Sequence, residues 1–266
     1  MASLKKTELK LCGLPAVKAR WQKDPTSIQR LFFDQKTGRS LGAICSALAA
    51  ARKVYRCVDT AELERISGST HHGGIVAIVT QERSAAPIPQ EMRAWASAAE
   101  PLVVLDRIGN SHNLGAIART AAYFGIRHIV IPASAEASRA NDAAYRVSEG
   151  GLEALRVWQV EDLPAFLAEL AGLGYEVLGA ATRGGRALRP GQGLRELGGK
   201  PVALVMGNEE QGMSREVQSA CTRLVTLQGT GEVESLNVSV AAALLIWELL
   251  GHAAPRRTQN TKKVNH

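Results

Sequence analysis

The stretch PLVVLDRIGNSHNLGAIARTAAYFG (101–125) decides how the chain is built. It opens on a continuous apolar run, crosses a polar loop with two glycines and ends in a helical pattern over 114–124. A short unbroken Val/Leu run has no polar face to offer water, so it belongs to a sheet covered on both sides. The same unit recurs downstream. Strand-like runs stand at 128–132, 156–160, 175–180, 201–207 and 223–228, with helical patterns at about 138–148, 162–173, 214–220 and 238–251. Strands alternating with helices predict an α/β fold with a mostly parallel sheet. Such sheets bind ligands beyond the carboxyl ends of their strands, which directs attention to the loops.

Three of these loops carry polar residues in patterns that invite chemistry. In the first, Gly109 and Gly115 suit tight backbone turns. A dinucleotide fingerprint G-x-G-x-x-G is missing, and a P-loop fails because Ala116 stands where its Lys should be. Asn113 is placed to cap a helix starting near Leu114, and Arg119 follows six residues later. In the second, VALVMGNEEQGMS (202–214), a buried strand ends at Gly207, and Gly212 closes the Asn-Glu-Glu-Gln turn. Glycines there let backbone groups approach a ligand, while Glu209 and Glu210 also suit the start of the next helix. In the third, GEVESLNVSVAAALLIWELL (231–250), Ser235, Asn237 and Ser239 alternate with Leu236 and Val238 before a buried helix.

Upstream, strands at 28–34, 53–58 and 75–79 mix with helices at 11–23, 40–51 and 60–66, as in a small α/β domain. Pro87 and Pro89 place a linker at 84–100, which gives domains at 1–83 and 101–251 and a polar, disordered basic tail at 252–266. Charge follows this division. Residues 1–83 carry a balance of +7, residues 84–250 one of −4 and the tail one of +4. A basic unit attached to an acidic one suits a polyanion such as nucleic acid. No apolar run reaches the length of a membrane helix, and the N-terminus lacks the apolar core of a secretory signal. Four cysteines without a CxxC pair fit a reduced, cytoplasmic protein. His71 and His72 are adjacent and do not share a face, so no metal is expected.

Taken in order, the three loops resemble those of the SpoU-type (TrmH-like) RNA 2′-O-ribose methyltransferases of the SPOUT superfamily. The family's N-x-x-G with an Arg six residues after the Asn is matched by NLGAIAR (113–119). Its strand followed by G-x-E and a further Gly is matched by MGNEEQGMS (206–214), and its third motif by SLNVSVA (235–241). LCGLPAVKA (11–19) and HHGGIVAIV (71–79) resemble the opening and closing segments of the family's smaller RNA-binding domain. Where the family often has Asp-Pro before the His-Asn, this chain has Asn110-Ser111, which leaves the subgroup and RNA target open.

The resemblance implies a trefoil-knotted domain that binds S-adenosylmethionine, a homodimer, and methylation of a ribose 2′-hydroxyl in tRNA or rRNA. It implies that loop backbones at Gly207, Leu227 and Leu236 hold the cofactor. It carries Asn113, Arg119, Glu209, Ser235 and Asn237 over as catalytic-site residues. Ser239 keeps a capping or packing role. Transfer from a sulfonium to a hydroxyl is an in-line displacement, so alignment supplies much of the rate and one proton must be managed. Amides and hydroxyls at Asn113, Ser235 and Asn237 suit alignment, and Glu209 suits the ribose or the fixing of Arg119. The family mechanism casts this Arg as the base. A guanidinium is a poor base, and Arg119 equally suits holding a phosphate and stabilising an alkoxide. The competing reading is a non-catalytic RNA-binding protein that retains the fold.

Overall fold

The computed structural model of the protein describes residues 7–81, 84–134, 136–188, 191 and 199–250. The stretch read as a basic tail, 252–266, lies outside them. Two sheets organise the described chain. The first holds β1 (Thr7–Cys12), β2 (Ile28–Phe33), β3 (Val54–Cys57) and β4 (Ile75–Gln81) in the order β1-β4-β2-β3. Its helices are α1 (Leu14–Lys23), α2 (Gln35–Gly38), α3 (Gly42–Ala50) and α4 (Thr60–Ser67). The helix read over 11–23 is thus a strand, a turn at Gly13 and a helix. Gly13 adopts φ 92°, which breaks the run.

The segment read as a linker contains α5 (Pro89–Ser97), whose Met92 and Trp95 are buried against the second sheet. Pro89 read as a breaker, yet proline is well tolerated in the first turn of a helix. Then follow β5 (Leu102–Leu105), α6 (Ser111–Tyr123), β6 (His128–Pro132), α7 (Asp142–Ser148), α8 (Gly151–Ala154) and β7 (Arg156–Val160). The chain continues through α9 (Leu163–Gly172), β8 (Glu176–Ala180), β9 (Arg186–Leu188), β10 (Val202–Met206), α10 (Arg215–Ala220), β11 (Arg223–Leu227) and α11 (Val238–Leu249).

The second sheet has the order β7-β6-β5-β10-β8-β11-β9, and every pairing in it is parallel. Both faces are covered, as the unbroken apolar strands require: all five residues of β10 are buried. α6, α7 and α11 supply the core on one face, α5, α9 and α10 on the other. The chain lays β5, β6 and β7 outward to one side and then inserts β10 between β5 and β8. The reversal opens a crevice at the carboxyl ends of the central strands.

The two sheets share a core. Leu9, Leu11, Val17 and Ile75 of the first pack into the same buried cluster as Leu114, Ile117 and Ala144 of the second. Polar contacts close the joint. Arg20 Nε donates to Glu153 Oε1 at 2.9 Å, both side chains being buried, and the backbone N–H of Lys10 donates to Asp142 Oδ1 at 3.0 Å. Burial pushes the Glu153 carboxyl above its ordinary range, against the opposing pull of Arg20.

Candidate active site

The crevice is built by the loops after β5, β8, β10 and β11 and by the start of α11. The loop after β10 is stiff. Asn208 and Gly212 exchange backbone hydrogen bonds at 3.0 and 2.9 Å, and Asn208 Oδ1 accepts from the N–H groups of Glu210 and Gln211. A Cβ at Gly207 would fall into the backbone of Gly212 and Met213, so the closed loop itself demands glycine there. Two groups that sequence reasoning missed tie this loop to the one after β5. Buried Asp106 accepts from Ser214 N–H at 2.7 Å and from Arg107 Nε at 3.1 Å, and the Asn208 amide donates to Arg107 O at 2.9 Å. The Asp106 hydrogen bond raises the Arg107 guanidinium above its ordinary value. An Asp directly after a buried apolar strand was the available signal.

Asn113 does not cap α6. The helix starts at Ser111 and Asn110 is its cap, accepting from His112 N–H at 2.8 Å. Asn113, in the first turn, is therefore free to bridge all three loops. Its Nδ2 donates to Glu209 Oε1 at 2.7 Å, and its Oδ1 accepts from Asn237 Nδ2 at 3.2 Å. The other oxygen of Glu209 accepts from Gly109 N–H at 3.5 Å. Asn237 is itself the cap of α11. Its Oδ1 accepts from Ser239 N–H at 2.9 Å and Ser239 Oγ at 2.6 Å, so Ser239 supports the cap and does not form it. Gly115, read as a turn residue, lies inside α6. A Cβ there would come within 2.6 Å of Ala144 O, so its bareness serves the approach of α7.

Beside this bridge lies a cleft of about 690 Å³ including its open mouth, lined by Gly207, Glu209, Leu227, Ser235 and Leu236. Met206, Val225 and Leu245 close its apolar floor, and Ala180–Thr182 form a further wall. Apolar walls with a few converging polar groups are the usual make-up of a small-molecule site. The size and lining fit S-adenosylmethionine: Leu227, Leu236 and Val225 offer apolar contact, and the surrounding loops offer backbone N–H and C=O groups.

Arg119 stands apart. It lies on α6 beyond Asn113 and is not among the residues lining the cleft. The expectation that Glu209 fixes it is not met: Glu209 is engaged by Asn113, and Arg119 Nη2 pairs with Glu149 Oε2 at 2.9 Å. Glu149 follows α7 in a left-handed conformation, φ 46°, which costs a non-glycine residue about 1–2 kcal/mol. The next turn is pressed on the same place, for a Cβ at Gly151 would lie 2.8 Å from Arg119 Cα. Among the described residues, no group of three His, Cys, Asp or Glu side chains is arranged to hold a metal ion.

Residues 100–247 match the SpoU rRNA Methylase family. The chain belongs to that family. Residues 10–85 match the substrate-binding unit of RNA 2′-O ribose methyltransferases, so both sheets have counterparts among SpoU proteins. The chain is 31% identical over 241 residues to an uncharacterized tRNA/rRNA methyltransferase, YfiF, of Escherichia coli O157:H7, covering 91% of this chain and 67% of that protein. It is 30% identical to the 23S rRNA (guanosine-2′-O-)-methyltransferase RlmB of Nitrosomonas europaea, covering 89% and 88% of the two chains. The solved structure of a putative RNA methyltransferase of the TrmH family from Porphyromonas gingivalis superposes with a TM-score of 0.68 at 25% identity, covering 91% of this chain and 88% of that one.

Proposed function

We propose that this SpoU-family chain methylates a ribose 2′-hydroxyl in structured RNA, with S-adenosylmethionine as donor. One observation carries the reading: the bridge Glu209–Asn113–Asn237 adjoins, through Glu209, a cleft lined by Gly207, Leu227 and Leu236. Polar groups fixed by one another beside an apolar slot are pre-organised to orient a ribose hydroxyl, which is where alignment acts on the rate. Bound S-adenosylmethionine supplies an electrophilic methyl group. Gly207, Leu227 and Leu236 would hold it, Asn113, Ser235 and Asn237 would orient the ribose, and Glu209 would keep the Asn113 amide in place. Arg119 would meet an RNA phosphate or the developing alkoxide as a cation. The trefoil knot of the family belongs to this reading, with α11 returning over α6 and β10.

The RNA is ribosomal or transfer RNA. The RlmB relatives make a guanosine of large-subunit ribosomal RNA the first target to test. The unit at 7–81, with its positive balance, would grip the RNA backbone. A homodimer also belongs here. Val240, Leu244 and Trp247 are exposed along one side of α11, and Tyr123 of α6 is exposed beside them through the Phe124–Trp247 contact at 5.5 Å. An apolar stripe of that kind suits burial against a second copy, and Arg119, one turn before Tyr123 on α6, then lies near the joint. No helix among the described residues is long and apolar enough to cross a membrane, and a ribosomal or transfer RNA substrate supports a cytoplasmic location.

The test has two stages. Calorimetry should give micromolar binding of S-adenosylmethionine and none of NAD. Ribose-methylation mapping of total RNA from cells with and without the protein should then reveal one lost site. Cofactor binding with no lost site would favour the RNA-binding protein that retains the fold.

A further inference from the structure

The contact between Arg119 and Glu149 has no account in the fold. Glu149 occupies a left-handed position at the end of α7, where glycine is the unstrained choice, and the two residues that follow are glycines. Among the described residues its carboxylate pairs with Arg119 alone, at 2.9 Å, with the side chains 57% and 52% exposed. An exposed ion pair returns little stability. A strained backbone and a weak bond together leave stability as a poor reason for Glu at this position. The surroundings point elsewhere. Gly151 is bare where α8 meets the backbone of Ala118 and Arg119, so the chain just after Glu149 is pressed against the place on α6 from which Arg119 projects.

We propose that Glu149 is a positioning residue for Arg119. Its carboxylate takes one edge of the guanidinium, at Nη2, and leaves Nε and Nη1 directed at the RNA. A guanidinium has five donors in a rigid fork, so anchoring one edge fixes the direction of the rest. The side chain then meets its phosphate or ribose oxygen without first losing rotamer freedom. The carboxylate also keeps a counter-charge beside the cation while the RNA is away. This rests on Arg119 acting in the methyl-transfer site.

The experiment uses the full chain, labelled S-adenosylmethionine and total RNA from cells lacking the protein. Glu149→Gly and Glu149→Gln should each lower kcat roughly tenfold with KM for RNA within about twofold, since orientation and not ground-state binding is lost. Glu149→Asp, which keeps the charge, should recover part of the loss. Cofactor affinity should not move, and the melting temperature of Glu149→Gly should stay level or rise, because left-handed strain is relieved. In an Arg119→Lys background, Glu149→Gly should add no further loss. Unchanged kcat in both variants, a lower KM with unchanged kcat, an equal loss in the Arg119→Lys background, or a fall in melting temperature that tracks the activity would each overturn the proposal. Normal turnover in Arg119→Ala would instead overturn the reading of Arg119, and this one with it.

Discussion

Helix α6 presents two polar clusters that differ in how they are held. At its first turn, Asn113 is clamped between Glu209 and Asn237, so loops from three parts of the chain share one set of hydrogen bonds. Two turns on, Arg119 has a single exposed carboxylate partner. The contrast follows from the jobs proposed for them. Neutral amides must already be aligned when the ribose arrives, and mutual hydrogen bonding fixes them without charge. A cation destined for a phosphate needs donors left free beside its anchor, which an exposed single-edge pair provides and a buried, fully paired one does not.

The contrast can be broken by substitution. The largest effect is expected from Arg119→Lys. Turnover on RNA should fall about a hundredfold while cofactor affinity stays within twofold, because Lys lacks the planar fork. Near-normal turnover would erase the distinction between the clusters. Gly207→Ala should act on the other side, weakening S-adenosylmethionine more than about tenfold by calorimetry and lowering the melting temperature, since its Cβ collides with Gly212 and Met213. Asn113→Ala should lower kcat roughly tenfold. It should also perturb Glu209 and Asn237 together, which chemical shifts of the Asn237 amide would report.

The smallest effect comes from outside both clusters. His128 lies between Glu100 and the Trp158 indole, at 2.9 and 3.1 Å, and burial lowers its pKa despite the pull of Glu100. The unfolded chain takes up a proton near pH 6.5 and the folded one resists it. Stability should therefore be full above about pH 6.5 and decline as pH falls toward the folded value, by a few degrees in melting temperature. Replacing His128 with Gln should flatten that slope and leave both clusters at neutral pH as they were.

Much of this was legible in the chain for physical reasons. The unbroken apolar runs of β5 and β10 could only be buried parallel strands, and Gly207 stood where a strand had to end. The cleft walls at Leu227 and Leu236 were another matter. Nothing local separates them from core leucines, and only the resemblance singled them out. Asn110 and Asn113 are both good caps, so local chemistry could not say which would be freed for the site. The helix at Pro89–Ser97 was hidden because proline ends one helix and begins another. Glu149 was invisible for a sharper reason: its position calls for glycine, and the residue it touches lies thirty positions away in the sequence.

The shared core between the two sheets has a consequence for how a nucleotide is chosen. Leu9, Leu11 and Val17 pack into the same cluster as Leu114 and Ile117, and the Arg20–Glu153 pair pins the joint. On the proposed reading, the part that grips RNA and the part that modifies it then behave as one caliper with fixed jaws. The methylated ribose is set by its distance from whatever the small sheet holds, and the enzyme picks its target by measuring along the folded RNA as well as by reading a base.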